Sequence, residues 1–438
     1  MVLPCSTNAA GFWGRHSVIS EADAVVVGAG ALGLSTAFHL ARFGVRRVAL
    51  IDRFGPGSQT SARAAGLFKL VQADETRTRL ARLSVEKVTR FMEETGVPLE
   101  VVRSGSLLVS RTPEHAALVR EEARQSQAWG VDVQLVDGDE AHRLMPLLEG
   151  QGIRAACHTP GDVYIDEPSS LLQAYLEACR RQGVTLIPDT PVTGIRVTGG
   201  QVEGVATSAG EIRARIVVDA AGAWSRAVAE LAGVRAPIVP VRHQLYITEP
   251  IAGSRPDHPI VRVVDTAVYL RPARGGLMLG GFEPDPLPVD PRVPGFSVDQ
   301  VPLDLAVLTR LAATVARQVP AIQKSAVREH RGGLFTMTTD GRLLVGPAPE
   351  VRGFWSATGC NGSGFSLSPA IGQVLAEWIT AGTPSIDLSA LQPARFAGTA
   401  LDDERLRAAA VWQYAHYYDP AFVRPATDSG QRPPVPAP

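Results

Sequence analysis

Three glycines and one acid carry the first chemistry legible in this chain. Gly28, Gly30 and Gly33 form a G-x-G-x-x-G run, GAGALG, directly after the β-branched residues 25–27. Such a run suits a strand, a turn and a helix. The first glycine permits the tight turn, the second lets backbone approach a pyrophosphate, and the third lets helix pack on strand. Ala29, Ala31 and Leu32 fill the turn and the helix start, where free N–H groups and the positive dipole end favour phosphate oxygens. A second strand, 48–51, delivers Asp52 and then Arg53. Asp52 lies 19 residues beyond Gly33, the offset at which a carboxylate meets a ribose diol. A glycine-rich turn in an ordinary α/β domain would explain the glycines but not the acid. The unit reads as a site for an ADP-containing dinucleotide, with nicotinamide and flavin both open.

Other segments carry small residues, charges or aromatics in suggestive places. The run 61–69, SARAAGLFK, sets Ser61, Arg63 and Lys69 among Ala64, Ala65, Gly66 and Leu67. A strand ending at Asp219 runs into Ala221, Gly222 and Trp224, where small residues let backbone lie close to a ligand; a plain strand-to-helix turn is the competing reading. The loop Gly359, Cys360, Asn361, Gly362, Ser363, Gly364 precedes a helix expected from about Pro369 to Thr380, a second anion-friendly helix start. In VRHQLYIT, strand alternation separates Arg242, Gln244 and Tyr246 from His243, Leu245 and Ile247. Tyr269 and Arg271 share one strand face in the same way. A solvated face serves Arg242 and Arg271 as well as a functional role does. Asp340 and Gly341 read as a hairpin turn and Asp340 as structural.

Taken together, these segments resemble the FAD-dependent oxidoreductases of the D-amino acid oxidase superfamily, over roughly residues 22–420. Within it the chain is most similar to sarcosine and dimethylglycine dehydrogenases and to glycine and sarcosine oxidases. The resemblance rests on the opening dinucleotide unit, SARAAGLF, IVVDAAGAWS, LRPARGGLMLGG, and TTDGRLLVGPAPEVRGFWSATGCNGSGFSLSPAIG, in the family's order. It implies FAD. Gly28 to Gly33, Asp52 and Arg53 would hold its ADP half. Ser61, Arg63 to Leu67, Ala221, Gly222, Trp224, Gly359, Asn361, Gly362, Ser363 and Gly364 would complete the cofactor site. It also implies oxidation of a C–N bond of a small amino acid or N-methylated amine. Hydride passes to flavin N5 and water hydrolyses the imine. Lys69, His243, Tyr246, Tyr269 and Arg271 are the candidate catalytic residues. Oxygen or an electron carrier would be the acceptor.

Two departures from the resembled dehydrogenases matter. Their flavin-linked histidine is replaced by Arg63, and a guanidinium does not readily form that bond, so FAD is expected to be held non-covalently. The chain also ends soon after RLRAAAVWQYAHYYDPAF, so a folate domain is not expected. Two other functions compete: oxidation of 2-hydroxy acids on the same fold, and a flavin-binding electron-transfer subunit without turnover. A nicotinamide dehydrogenase is a weaker third.

The elements that must position these residues follow from length and patterning. The 438 residues allow two domains or more, and 45% hydrophobic content supports a sizeable core. The expected fold is α/β: a discontinuous Rossmann-like FAD-binding domain from 22–105, 158–237 and 325–385. A mixed-sheet α+β substrate domain comes from 106–157 and 238–324. Residues 1–21 read as a leader, 386–424 as a helical extension and 425–438 as a disordered tail. A net charge of −1 offers no field for nucleic acid, and no apolar run reaches a membrane span. Four scattered cysteines without a C-x-x-C pair argue against a disulfide framework and an ordinary zinc site, and make reduced cytosolic thiols the default reading. No metal is expected.

Overall fold

The computed structural model describes residues 19–398 and 402–419. The leader up to residue 18 and the tail 425–438 lie outside the described residues. Ser20 and Glu21 already belong to the fold: the Ser20 carbonyl accepts the Arg213 N–H, and Glu21 bridges to Arg213.

A six-stranded sheet holds the dinucleotide unit. Its order is Leu344–Pro347, Phe354–Thr358, Ile216–Asp219, Ala24–Val27, Val48–Ile51, Thr185–Ile187, all parallel except the first, which pairs antiparallel with its neighbour. Residues 24–27 are buried on both faces, as an interior parallel strand must be. Ala24 and Val26 pack under the helices Ala31–Arg42 and Gly364–Ala381. Val25 and Val27 face the opposite side, where Ile195, Val202 and Ile212 come from a three-stranded antiparallel sheet.

The helix expected from about Pro369 starts earlier, at Gly364, and takes Pro369 into its interior. Proline cannot donate to the carbonyl one turn back. The Ser368 hydroxyl donates to that Phe365 carbonyl instead, at 2.9 Å.

An eight-stranded mixed sheet forms the second layer, in the order Val327–Thr338, Ile238–Thr248, Gly276–Gly281, Val268–Ala273, Ile260–Val263, Ser106–Ser110, Ala155–Thr159, Gln134–Val136. Val327–Thr338, which the sequence places with the cofactor portion, is the edge strand of this sheet. It pairs antiparallel along nearly all of Ile238–Thr248. One face packs on the helices Leu305–Thr314 and Gly138–Leu144 through Val261, Val263, Leu270 and Leu279. The helix Asp403–Ala415 lays Leu406, Ala410 and Tyr414 against Val239, Val241 and Met337. The sheet's other face looks toward the glycine turn.

Candidate functional site

A cavity of about 440 Å³ lies between the two sheets. At one end it meets Gly28, Gly30, Ala31, Leu32, Asp52 and Arg53. Gly28 has φ +104°, and a Cβ there would stand 2.5 Å from the Ala220 carbonyl oxygen. A Cβ on Gly33 would stand 1.7 Å from the Gly28 carbonyl oxygen, so strand and helix meet without a side chain between them. Gly33 and Ala29 shape the turn from behind the cavity wall. The Asp52 carboxylate accepts the Ala29 N–H at 2.6 Å and the Phe54 N–H at 2.7 Å. It therefore bolts the turn as well as facing the cavity, and burial pushes its pKa up to about 6. Ser61 Oγ accepts the Ala31 N–H at 3.1 Å. The Arg53 guanidinium lies 5.3 Å from the Phe54 ring centroid and 5.7 Å from that of Trp224. Ala221, Gly222 and Trp224 line the same end.

The middle of the cavity is walled by Arg63 to Leu67 on one side and Gly362 to Ser366 on the other. Arg63 donates to the Ser58 and Gln59 carbonyls, both at 2.6 Å, and pairs with Asp299. Its charge is thus anchored to its own turn and to the 298–300 turn. Gly359 and Asn361 do not line the cavity, contrary to the sequence reading. Asn361 is buried, with its Oδ1 accepting the Thr338 N–H at 3.0 Å and its Nδ2 donating to the Gly359 carbonyl at 2.6 Å. The pair fastens the loop to the edge strand, and this leaves Gly362, Ser363 and Gly364 to face inward.

The far end is aromatic. Tyr269, Phe282, Phe335, Tyr417 and Tyr418 line it, with Lys69 and His243. Lys69 Nζ donates to Tyr417 Oη at 3.2 Å. Burial works against the ammonium, but the Tyr417 and Tyr418 hydroxyls outweigh it and hold its pKa above the ordinary lysine value. His243 contacts Tyr414 Oη through Nδ1 at 2.7 Å and Tyr269 Oη through Nε2 at 2.9 Å, and its ring stacks on Phe335 at 4.1 Å. Burial pushes its pKa down to about 3. The imidazole is neutral at pH 7 and a poor base, so it orients Tyr269 rather than moving a proton.

Two candidates do not reach the cavity. Tyr246 points to the opposite face of its strand, into the core with Val261 and Leu279. Strand alternation requires this once His243 and Leu245 face the cavity. Arg271 is fully buried and saturated by acceptors: the Ala65 carbonyl at 2.8 Å, Asp166 Oδ1 at 2.7 Å, the Asp166 carbonyl at 2.8 Å and the Pro272 carbonyl at 2.6 Å. It ties the eight-stranded sheet to the 63–67 loop. Neither Arg242 nor Arg271 sits on a solvated face, since Arg242 is buried against Glu283. Sequence reasoning missed Thr60, Phe335, Thr336, Arg262, Tyr417 and Tyr418, all on the cavity wall. For Arg262 a signal existed: a charge in the middle of the apolar strand Ile260–Val263.

Asp219 ends the strand that leads to Gly222. Its Oδ1 accepts the Ala221 N–H at 3.1 Å, Oδ2 has no partner among the described residues, and burial pushes its pKa up to about 7. An unfolded aspartate ionises near pH 4. A raised native value favours the neutral form, so this group's stabilisation is complete below about pH 4 and is lost as pH rises towards 7. Asp219→Asn removes that loss. Urea unfolding at pH 5 and pH 8 should show the stability difference moving in the variant's favour by about 3 kcal/mol between the two. Parallel pH dependences for variant and parent would refute the assignment.

A largely parallel sheet with a glycine turn bare enough for a pyrophosphate, facing a mixed sheet across one cavity, defines a dinucleotide-binding α/β protein. The chain belongs to the FAD dependent oxidoreductase (DAO) family, whose model matches residues 23–378. It is 31% identical to human mitochondrial sarcosine dehydrogenase over 410 residues, covering 92% of this chain and 44% of the relative. It is 30% identical to the formaldehyde-forming 4-methylaminobutanoate oxidase of Paenarthrobacter nicotinovorans, covering 85% of this chain and 45% of the relative. The chain thus spans less than half the length of these curated relatives. Among solved structures, L-proline dehydrogenase from P. horikoshii superposes with a TM-score of 0.78 at 26% identity, over 88% of this chain and 100% of that one.

The residues present fit FAD. The glycine turn leaves backbone bare for a pyrophosphate. Among the described residues, nothing lies within 4 Å of a Cβ placed on Gly222, which lines the cavity, and Thr358 Oγ1, buried on the cavity wall, has no partner. Among the described residues no group of His, Cys, Asp or Glu could hold a metal, and no helix is long and apolar enough to cross a membrane.

Proposed function

We propose that the protein oxidises the C–N bond of a small amino acid or N-methylated amine, with FAD as its cofactor. The observation that carries this reading is the continuity of the cavity. One space joins the glycine turn and Asp52 to an aromatic chamber bearing Lys69 and Tyr269. FAD, when bound, would supply a two-electron acceptor. The chain's residues do the rest. Gly28 to Gly33 and Asp52 would hold the ADP half, with Arg53 at the same end of the cavity. The N-terminus of Gly364–Ala381 offers a positive dipole end to the flavin. Tyr269, Phe282, Phe335 and Tyr417 exclude water from the substrate side, and His243 fixes Tyr269. Relatives near 30% identity are named for sarcosine, dimethylglycine and 4-methylaminobutanoate, which supports an amine donor over a hydroxy acid.

With Arg63 in place of the flavin-linking histidine, the flavin should be non-covalent. Acid precipitation of the yellow protein should leave the colour in the supernatant, and colour retained in the pellet would overturn this. The free buried thiols Cys157 and Cys179 support a reducing, cytoplasmic setting. The test of function is anaerobic. A panel of N-methyl amino acids, primary amino acids, secondary amines and 2-hydroxy acids is added to the holoenzyme. We expect an amine to bleach the visible flavin band. Bleaching by hydroxy acids alone, or by nothing, would sink the reading.

A further inference from the structure

We infer that residues 289–301 form a clasp over the cofactor cavity, and that its opening sets how fast FAD enters and leaves. The inference rests on the non-covalent FAD reading above. The strands Ile216–Asp219 and Val48–Ile51 flank Ala24–Val27, the strand that carries the glycine turn. Each outer strand leads on to a short turn in the cavity wall, Gly222–Trp224 on one side and Thr60–Arg63 on the other. A dinucleotide seated on the glycine turn would lie between those two turns. The clasp fastens them to each other from outside.

Both ends of the clasp are pinned to the strand Ile238–Thr248 of the second sheet. The Arg242 N–H donates to the Leu287 carbonyl and the Val289 N–H to the Pro240 carbonyl, both at 2.8 Å. At the other end Arg242 Nη1 donates to the Pro302 carbonyl at 2.7 Å, and the Asp304 N–H donates to Gln244 Oε1 at 2.9 Å. Between these pins the chain crosses to the turns of the first sheet. Trp224 Nε1 donates to the Pro291 carbonyl at 2.9 Å, and the Phe296 ring packs 6.1 Å from that of Trp224. The Val298 N–H donates to Gln59 Oε1 at 2.9 Å, and Asp299 pairs with Arg63. Gln59, Arg63, Ala223 and Trp224 line the cavity, whereas no described residue of 289–301 does. The clasp thus holds the wall without touching what the wall encloses.

Its hold is light. Pro291, Phe296 and Val298 are buried, but residues 292–295, 299 and 300 are exposed. The Asp299 side chain is 72% exposed, so its ion pair with Arg63 contributes little. A segment with few buried contacts opens locally at a cost far below that of global unfolding. The pins on Ile238–Thr248 stay in place as hinges, because that strand is buried along its whole length. Opening frees the 60–63 turn from the 222–224 turn and uncovers the glycine turn between them. Arg63 is in this respect a positioning residue for the clasp.

The test separates a gate from a binding contact. A residue that touches FAD changes its release and its affinity together. A gate changes entry and release by the same factor and leaves affinity alone. Release is measured on the holoenzyme by chasing with excess deaza-FAD and assaying the FAD retained after rapid desalting. Entry is measured by stopped-flow quenching of tryptophan fluorescence when FAD meets the apoprotein, and Kd by calorimetry. Asp299→Asn should raise both rates about 3-fold, the scale of an exposed ion pair. Asp299→Glu should restore the parent rates. Phe296→Ala, which removes a buried ring, should raise both rates about 10-fold or more. In each variant Kd should stay within about 2-fold of the parent, as the linkage requires. Val293→Ser, at the exposed tip, is the control and should leave both rates unchanged. Asp299→Asn carries the test if Phe296→Ala does not fold. Faster release with a matching loss of affinity would overturn the gate and reduce the segment to a wall support. Unchanged rates in Asp299→Asn and Phe296→Ala would overturn it outright. Release from no form, with the colour kept in an acid pellet, overturns the non-covalent reading and the gate with it. Colour in the supernatant leaves that reading standing whatever the rates show.

Discussion

Gly33→Ala should purify colourless. A Cβ at residue 33 would stand 1.7 Å from the Gly28 carbonyl oxygen, far inside any contact distance. Nor can the turn retreat. Gly28 holds φ +104° with the Ala220 carbonyl oxygen 2.5 Å from where a Cβ would stand, and its N–H donates to the Ile51 carbonyl at 2.7 Å. The next peptide, at Ala29, is fastened to Asp52 at 2.6 Å. Relief therefore requires the helix Ala31–Arg42 to lift from the sheet, which opens the surface that would cradle a pyrophosphate. We expect loss of bound flavin and a stability loss of about 3 kcal/mol or more, the upper range for overpacking a buried contact. The measurements are the flavin-to-protein absorbance ratio and urea unfolding. Gly55→Ala is the control, because its Cβ would meet nothing within 4 Å. A Gly33→Ala protein with full flavin content would show that the close approach is not needed.

Arg242→Met should be among the most damaging single changes away from the cavity. Arg242 and Glu283 are both almost wholly buried, and the Glu283 carboxylate accepts from Arg242 Nε and Nη2 and from Gln244 Nε2 at 3.1 Å. Without the guanidinium, Glu283 becomes an uncompensated buried charge, a change that costs about 3–5 kcal/mol. The damage should spread, because Gln244 Oε1 also accepts the Asp304 N–H at 2.9 Å and contacts His330 Nε2 at 3.1 Å. Arg242→Met with Glu283→Met should recover most of the loss, since a well-packed apolar pair can replace a buried ion pair. Urea unfolding of the two variants decides it. A double variant no more stable than the single one would mean that packing, not the stranded charge, was lost.

The two arginines of the second sheet show where sequence reading stops. Alternation in VRHQLYIT correctly divides His243 from Arg242 and Tyr246. The strand Ile238–Thr248 is nevertheless buried along its whole length, so composition does not say which face meets the cavity. Tyr246, a catalytic candidate by sequence, falls on the core side of that division. Arg271 shares a face with Tyr269, yet it lies one pleat further along, where Asp166 and the Ala65 carbonyl capture it. Tyr417 and Tyr418 carry no periodic signal. They reach the cavity because the helix before them packs on strands far earlier in the chain, Ile238–Thr248 and Val327–Thr338.

The dinucleotide half of the site was determined by the sequence itself. Its requirements are local: a positive φ at Gly28, a bare α-carbon at Gly33, and an acid one strand later at Asp52. Each can be met only by particular residue types at fixed spacing, so the pattern is readable in one dimension. The aromatic half of the cavity was decided by tertiary structure. Which buried cation is consumed by a neighbour and which is left open depends on strands paired across the whole chain. Arg242 meets Glu283, Arg271 meets Asp166, and Arg262 meets neither. All three are arginines in apolar strands, and only the pairing of those strands tells them apart.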